Sequence, residues 1–558
     1  MTEKTDLVKM IASGIAQLKR SYSSGTGRFL DEKGQWTLTN QDFIWPLAWF
    51  FACRYPDNPF YRSKEILNAV QKGGDAIASS QDKDGRTEFL KADGSAWGKI
   101  YMPWTMFHWL EAFRVCQPFL EEKRKERWKK GLLAAYSGIS RELKTDPIHN
   151  ISAWKAMSLY QAGKVFSHSG WKKLGGDFMR KVAGEVQPDG FWPEGSGPTV
   201  SYNTIYLHAL GLYYFMSRDD SVLSALDKAT EFHRRFLYPD GSLVETIDGR
   251  VKYREEVLSI GWPGLLTEGK GQGLISFLLK CLKRKPPGKI VLPYLTSALD
   301  IWPESFSLAE PVFQEEKTWR EVYRGKACLR KKGDFFVCLS GYALNAQQQQ
   351  TNAESRWLMD RSCFVSVWHR SCGLIISADN SKNQPDWANF SFWQGASRGF
   401  SPVKARVFSE DKKDRLILDF GGPSCQIAVA FPRPDRVELT FSVEKFSHLK
   451  QIRVAVPLRL GEREQVIIGQ SRFKVSQLTE QRLNLKTGEY LKTKNWQISS
   501  QLPAWFFWPV YPFNPYALSG LALPEQVRAF LVFNLTANQP VNPITLKMHS
   551  AVQSDNQK

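Results

Sequence analysis

The stretch Glu185–Gly195, EVQPDGFWPEG, decides the fold, because its core phrase recurs. SSQDKDGRTEF spans Ser79–Phe89 and FLYPDGSLVET spans Phe236–Thr246. Each copy follows a helix-like periodic segment and puts Asp-Gly at a tight turn, where glycine supplies the positive φ. A repeated helix, turn, helix unit predicts stacked helical hairpins. Closed on itself, such a stack is an (α/α) toroid; left open, it is a solenoid. Spacing alone does not separate the two.

Working outward, residues 1 to about 290 have the 3.6-residue period of amphipathic helices. The clearest examples are Pro103–Cys116, Ile151–Val165 and Ser201–Met216. The basic, Pro-rich run Lys283–Pro293 breaks that pattern, and residues 291–318 read as a linker. From residue 319 the period changes to short β-branched and aromatic runs between turn residues. Phe335–Leu339, Cys363–Trp368, Gly373–Ser377, Arg415–Phe420, Gln426–Phe431, Arg436–Phe441 and Gln451–Val456 predict an antiparallel β-sandwich over 319–558, closed by Ala529–Leu535 and Pro543–His549. The tract Gln347–Gln350 reads as a loop. The expected fold is therefore multidomain α+β, an N-terminal (α/α) toroid over 1–290 followed by an antiparallel β-sandwich.

The 558 residues carry a formal net charge of +19 and include 20 Trp, 18 Tyr and 35 Phe. A positive field concentrates anionic partners, and aromatic faces with polar edges suit sugar rings. The cations are scattered among aromatics, without a basic arm or a zinc-finger spacing, so nucleic acid is not the expected partner. No segment has the ~18 apolar residues of a membrane helix, and no membrane insertion is expected. The N-terminus reads as an amphipathic helix without a signal-peptide core. The expectation is a cytoplasmic protein as the chain stands, or a periplasmic or secreted one if a signal has been removed. The eight cysteines form no CxxC pair, and Cys363 and Cys372 are the two placed to approach across a strand pair. No cofactor is expected and no metal-binding spacing is present, although a structural ion is compatible with the sequence.

Two phrases carry candidate chemistry. In His149-Asn150-Ile-Ser-Ala-Trp154, Asn150 and Trp154 share a helical face. In Glu194-Gly-Ser-Gly-Pro-Thr-Val-Ser-Tyr202-Asn203-Thr-Ile-Tyr206, a Gly/Pro loop enters a helix on which Tyr202 and Tyr206 share a face. A third phrase, Asp248-Gly-Arg250-Val-Lys-Tyr253-Arg254, adds cations after the last PDG turn.

Together these phrases resemble the heparinase II/III-like and alginate-lyase superfamily of polysaccharide lyases, which pair an (α/α) toroid with a β-sandwich. The resemblance covers the second half of the toroid and, more loosely, the sandwich. It implies that Asn150 neutralises the carboxylate of a uronate and that Tyr202 is the catalytic acid or base. It departs from the family pattern at two places: the family's toroid histidines fall on Ile151 and Asn203. His149 and, on the sandwich, His369 are the substitute bases it offers. The implied substrate-binding set is Trp154, Trp192, Glu194, Asn203, Tyr206, Arg250, Tyr253, Arg254 and Arg356, and the implied partner is an acidic polysaccharide or oligosaccharide.

The chemistry implied is β-elimination: a C5 proton leaves a uronate, amide or guanidinium donors steady the developing enolate, and the leaving oxygen is protonated. Two alternatives stay open. A glycoside hydrolase would use a carboxylate pair drawn from Asp189, Glu194, Asp240 and Glu245. A non-catalytic protein would bind acidic glycans without turnover.

Overall fold

The structure is a computed structural model. It describes residues 2–90, 96–195, 197–250, 254–304, 306, 310–378, 380–461, 463–476, 479–523 and 526–549. The chain divides into two compact units. The first contains the residues up to Trp192, Ser201–Arg234 and Glu255–Val312; the second contains Pro193–Val200, Arg235–Arg254 and everything from Phe313.

The first unit is helical. Its helices are α1 (Glu3–Leu18), α2 (Ile44–Ala52), α3 (Lys64–Ser80), α4 (Pro103–Cys116), α5 (Glu122–Glu142) and α6 (Asn150–Val165). There follow α7 (Ser169–Gly184), α8 (Val200–Ser217), α9 (Leu223–Arg235), α10 (Trp262–Leu265), α11 (Gly269–Arg284) and α12 (Leu292–Asp300). Burial alternates along this series. In α2, α4, α6 and α12 nearly every side chain is buried. In α3, α5 and α7 only one stripe is, and the rest is charged or polar. A helix buried all round belongs to an inner layer and an amphipathic one to an outer layer.

The inner layer closes. Inner helix α2 packs on α4, α4 on α6, α10 on α12, and α12 back on α2. Trp154 of α6 stacks on His208 of α8 with ring centroids 5.2 Å apart. Between α8 and α10 the backbones touch: a Cβ on Gly211 would lie 2.1 Å from the Gly264 nitrogen. Outside them, α1 packs against both α11 and α12. The array is a toroid rather than an open solenoid. It also enlarges the expected helical region, because α12 falls inside the 291–318 segment read as a linker. Its apolar residues Leu292, Leu295, Ala298 and Leu299 are buried, and Ser297 Oγ accepts from Trp45 Nε1 at 3.0 Å.

The three repeated turns superpose in their bonding. Asp82 N donates to Arg86 O, Gln187 N to Phe191 O and Tyr238 N to Ser242 O, at 2.8–2.9 Å. Gly85, Gly190 and Gly241 have φ of 84°, 82° and 84°. A fourth turn of this kind, Asp31 N to Gln35 O with Gly34 at φ 74°, leads from α1 toward α2.

The second unit is built on two nine-stranded antiparallel sheets. One runs, in spatial order, through Lys404–Ser409, Lys413–Asp419, Ser424–Arg433, Arg436–Lys445, Val541–Met548, Trp496–Ser500, Tyr490–Lys492, Gln465–Ile468 and Ser471–Lys474. The other runs through Gln481–Leu485, Ala504–Val510, Arg528–Thr536, Gln451–Leu458, Gly373–Ile376, Val365–His369, Phe335–Ser340, Ala327–Lys332 and Thr318–Tyr323. Their inner faces share one core, including Val337, Val367, Ile427, Leu439, Val454, Leu531 and Ile544. Strand alternation puts these residues on one side of each sheet.

Residues 346–354, which contain the glutamine tract expected as a loop, form a helix instead. Asn345 and Gln348 cap it reciprocally, each side chain bonding the other's backbone. All eight cysteines are free thiols, so Cys363 and Cys372 are not bridged.

Candidate active site

The inner helices of the first unit run parallel. Across α4 and α6, Trp104 meets Trp154, Glu111 accepts from Gln161 at 2.6 Å, and Phe113 meets Phe166. Across α6 and α8, Trp154 meets His208, Tyr160 meets Tyr213, and Lys164 Nζ donates to Met216 O at 2.8 Å. Sequence number rises together on both members of each pair. The same holds for α12 and α2, where Ser297 pairs with Trp45 and Asp300 with Trp49. The parallel packing of α4, α6 and α8 places their N-termini at one end of the ring. Each N-terminus carries roughly half a positive charge, so that end favours anions.

Asn150 is the first residue of α6 and Tyr202 lies in the first turn of α8. The α6–α8 register, 154 with 208 and 164 with 216, puts both at the N-terminal end of neighbouring helices. Asn150 is 6% exposed and Tyr202 is half-buried. His149 has a different occupation. Its Nδ1 accepts from Ile151 N at 3.2 Å and Ser152 N at 3.3 Å, and Ser152 Oγ accepts from His149 N at 2.9 Å. It is the N-cap of α6, with the ring lone pair spent on the helix.

Several residues expected to touch sugar are interior. Trp154 is fully buried. With Phe107, His108 and Tyr294 it fills the ring beside His208. Trp192 and Tyr206 are each 1% exposed and stack on one another at 5.0 Å and 11°. Trp192 Nε1 donates to Val182 O at 2.7 Å. Asn203 is fully buried: its Oδ1 accepts from Trp192 N at 3.0 Å, and its Nδ2 donates to Gly190 O at 3.3 Å and faces His233 Nε2 at 3.1 Å. It ties the PDG turn to α8 and α9. Asn203 is thus a clamp on that turn. Burial drives the His233 pKa down to about 3, which keeps the ring neutral and Nε2 free to accept.

In the second unit, Glu194 and Arg250 form an ion pair at 2.5 Å. Asp248, which heads the third phrase, accepts from Val200 N at 2.7 Å and from Arg250 N at 2.9 Å. Arg361 is 3% exposed and donates to Ile247 O at 2.6 Å and to Pro198 O at 3.1 Å. Burial lowers its pKa to about 10, with Asp248 opposing the shift. Both flanking glycines are required: a Cβ on Gly197 or Gly249 would come within 2.7 Å of the guanidinium. The Gly-rich loop before α8 is thus held by one arginine and one aspartate from distant parts of the chain.

Arg254 is exposed, and Tyr253 lies outside the described residues. Arg356 donates to Pro515 O at 3.0 Å and to Ala517 O at 2.7 Å, so it anchors a loop of its own unit. His369 ends a strand, packs on Phe335, and accepts from Ser371 N through Nδ1 at 3.2 Å; burial lowers its pKa. Of the hydrolase carboxylates, Glu245 is 3% exposed, accepts from Tyr238 Oη at 2.7 Å and Ala378 N at 2.9 Å, and has its pKa raised by burial. Asp240 accepts from Ser242 N and Oγ in its turn. These two are structural.

Among solved structures, the crystal structure of heparinase III aligns over 97% of this chain and 84% of its own, at 9% identity and a TM-score of 0.54. The chain carries the toroid-plus-sandwich fold of heparinase III. The fold implied by the sequence resemblance is therefore the fold present. A chondroitin AC lyase variant from Streptomyces coelicolor A3 aligns over 98% of this chain and 80% of its own, at 10% identity and a TM-score of 0.49. A heparan sulfate lyase variant from Pedobacter heparinus aligns over 98% and 84%, at 10% and 0.47. No protein-family profile and no curated protein matches the sequence.

Proposed function

We propose that this protein is a polysaccharide lyase that cleaves a uronic-acid-containing acidic polysaccharide by β-elimination. The observation that carries the proposal is the placement of Asn150 and Tyr202 at the N-terminal end of adjacent, parallel inner helices. The uronate carboxylate sits at that positive end, and the Asn150 amide donates to it as negative charge builds toward the enolate. Tyr202 starts from a phenol pKa near 10. Partial positive charge in the first turn of α8 favours its phenolate. The phenolate takes the C5 proton, the C4–O bond breaks as the C4–C5 double bond forms, and the same hydroxyl returns the proton to the leaving oxygen. His149 is spent on its helix and Asn203 on its turn, which leaves Tyr202 as the acid–base group of the two phrases. The heparinase III fold supports the same reading.

Kinetics of two variants test it. Tyr202→Phe is expected to abolish turnover while substrate still binds with near wild-type affinity. Asn150→Ala is expected to lower kcat by about 100-fold, the scale of losing one preorganised donor. Turnover that survives in Tyr202→Phe overturns the assignment.

A further inference from the structure

The second unit contains a cavity that the elimination reading does not use. It measures about 430 Å³ and is walled by Trp393, Arg398, His448, Lys450, Arg453 and Asn534. Trp393 stands on the hairpin Phe392–Gln394/Ser397–Gly399 and is 59% exposed, a large apolar face for a soluble surface. The Arg398 guanidinium lies 4.8 Å from its ring centre and holds the indole as a fixed platform.

The charges around this platform are under-compensated. Arg398 pairs with Asp386 and donates to Ser391 Oγ at 3.2 Å, yet its Nε is buried with no hydrogen-bond partner. Arg453 donates to Asp386 O at 3.3 Å through Nε and stacks near Trp387 and Phe507. Burial, and to a lesser degree the neighbouring Arg398, lower its pKa, with Asp386 opposing the shift. Among the described residues, Asp386 is thus the one carboxylate lining a pocket that also holds two guanidiniums and Lys450. The backbone rim is held in an unfavourable form as well: Ser447 and His448 have φ of 47° and 69°, a left-handed pair without glycine.

An aromatic platform beside two guanidiniums and an ammonium matches a sugar ring that bears carboxylate or sulfate groups. We propose that this cavity is a second binding site for acidic oligosaccharide, separate from the elimination chemistry, with a ring stacking on Trp393 and its anionic group meeting Arg398, Arg453 and Lys450. The choice of an acidic glycan over another anion rests on the lyase reading above.

The test is native electrophoresis of the full chain through gels containing chondroitin sulfate, hyaluronan or single-stranded DNA, alongside turnover of a short uronate oligosaccharide. The expected result is retardation by a polysaccharide that weakens at least fivefold in Trp393→Ala and in Lys450→Glu, with short-substrate turnover and melting temperature unchanged. Retardation equal to wild type in both variants overturns the proposal, even if lyase products form. Retardation by DNA but by neither polysaccharide also overturns it. Trp393-dependent retardation without any unsaturated product keeps this site and removes the lyase reading instead.

Discussion

Acid should loosen the clamp behind the candidate site, and His233 should account for a measurable share. His233 is fully buried on α9, and its Nε2 accepts from Asn203 Nδ2. The amide orientation is fixed because Asn203 Oδ1 accepts from Trp192 N. A second proton on the ring would point at an amide that also donates. The folded pKa of about 3 against an unfolded value near 6.5 expresses this. Because the folded value is depressed, the unfolded chain binds the proton more readily. The stability is fully present above about pH 6.5 and is lost as pH falls toward about 3. Each unit in that window is worth about 1.4 kcal/mol, so at pH 4.5 the single ring removes roughly 2–3 kcal/mol of a total that is seldom above about 15. His233→Gln keeps an acceptor for Asn203 and does not titrate. Urea unfolding of both proteins at pH 7.5 and 4.5 measures the difference. Wild type should lose about 2–3 kcal/mol more than the variant between those pH values. Equal losses would refute the linkage through His233. His208, also buried and with its pKa depressed, is present in both proteins and cancels.

Three further outcomes follow from the packing and the field. Gly211→Ala pushes a methyl into the α10 backbone at 2.1 Å and should cost about 1–3 kcal/mol in thermal melts, because the ring closes there. Arg361→Met removes two buried donors from the Ile247 and Pro198 carbonyls; a loss of about 2–4 kcal/mol in denaturant titration is expected, and Arg361→Lys should not restore it. If the anionic chain is drawn by the +19 net charge, KM should rise steeply with ionic strength while kcat changes little, as steady-state kinetics across a salt series would register.

Much of the architecture was legible because turn chemistry is local. The Asp-Gly phrases at Asp84, Asp189 and Asp240 predict turns from neighbouring residues alone, and all three are present with left-handed glycines. The fourth turn, Asp31–Gln35, has Lys33 where the other three have the aspartate before glycine, and that hid it as a repeat. Helix α12 was hidden by the Lys283–Pro293 break, since only its burial against α1 and α2 shows that it belongs to the ring. The phrases around Asn150 and Tyr202 were legible, but the contacts of their residues were not. Whether Asn203 faces substrate or a turn depends on His233, thirty residues on, and on Trp192. Whether a histidine at position 149 is a base or a cap depends on the direction of one lone pair. Arg361 and Asp248 acquire meaning only where distant segments meet the loop before α8.

The most direct test of the central claim is the product. Incubated with a panel of acidic polysaccharides, the protein should release oligosaccharides whose new non-reducing end is an unsaturated uronate, seen as near-ultraviolet absorbance and, by mass spectrometry, as one water less than a hydrolytic fragment. Fragments that carry the full water of hydrolysis would contradict elimination, and an unshortened polymer across the panel would contradict catalysis altogether.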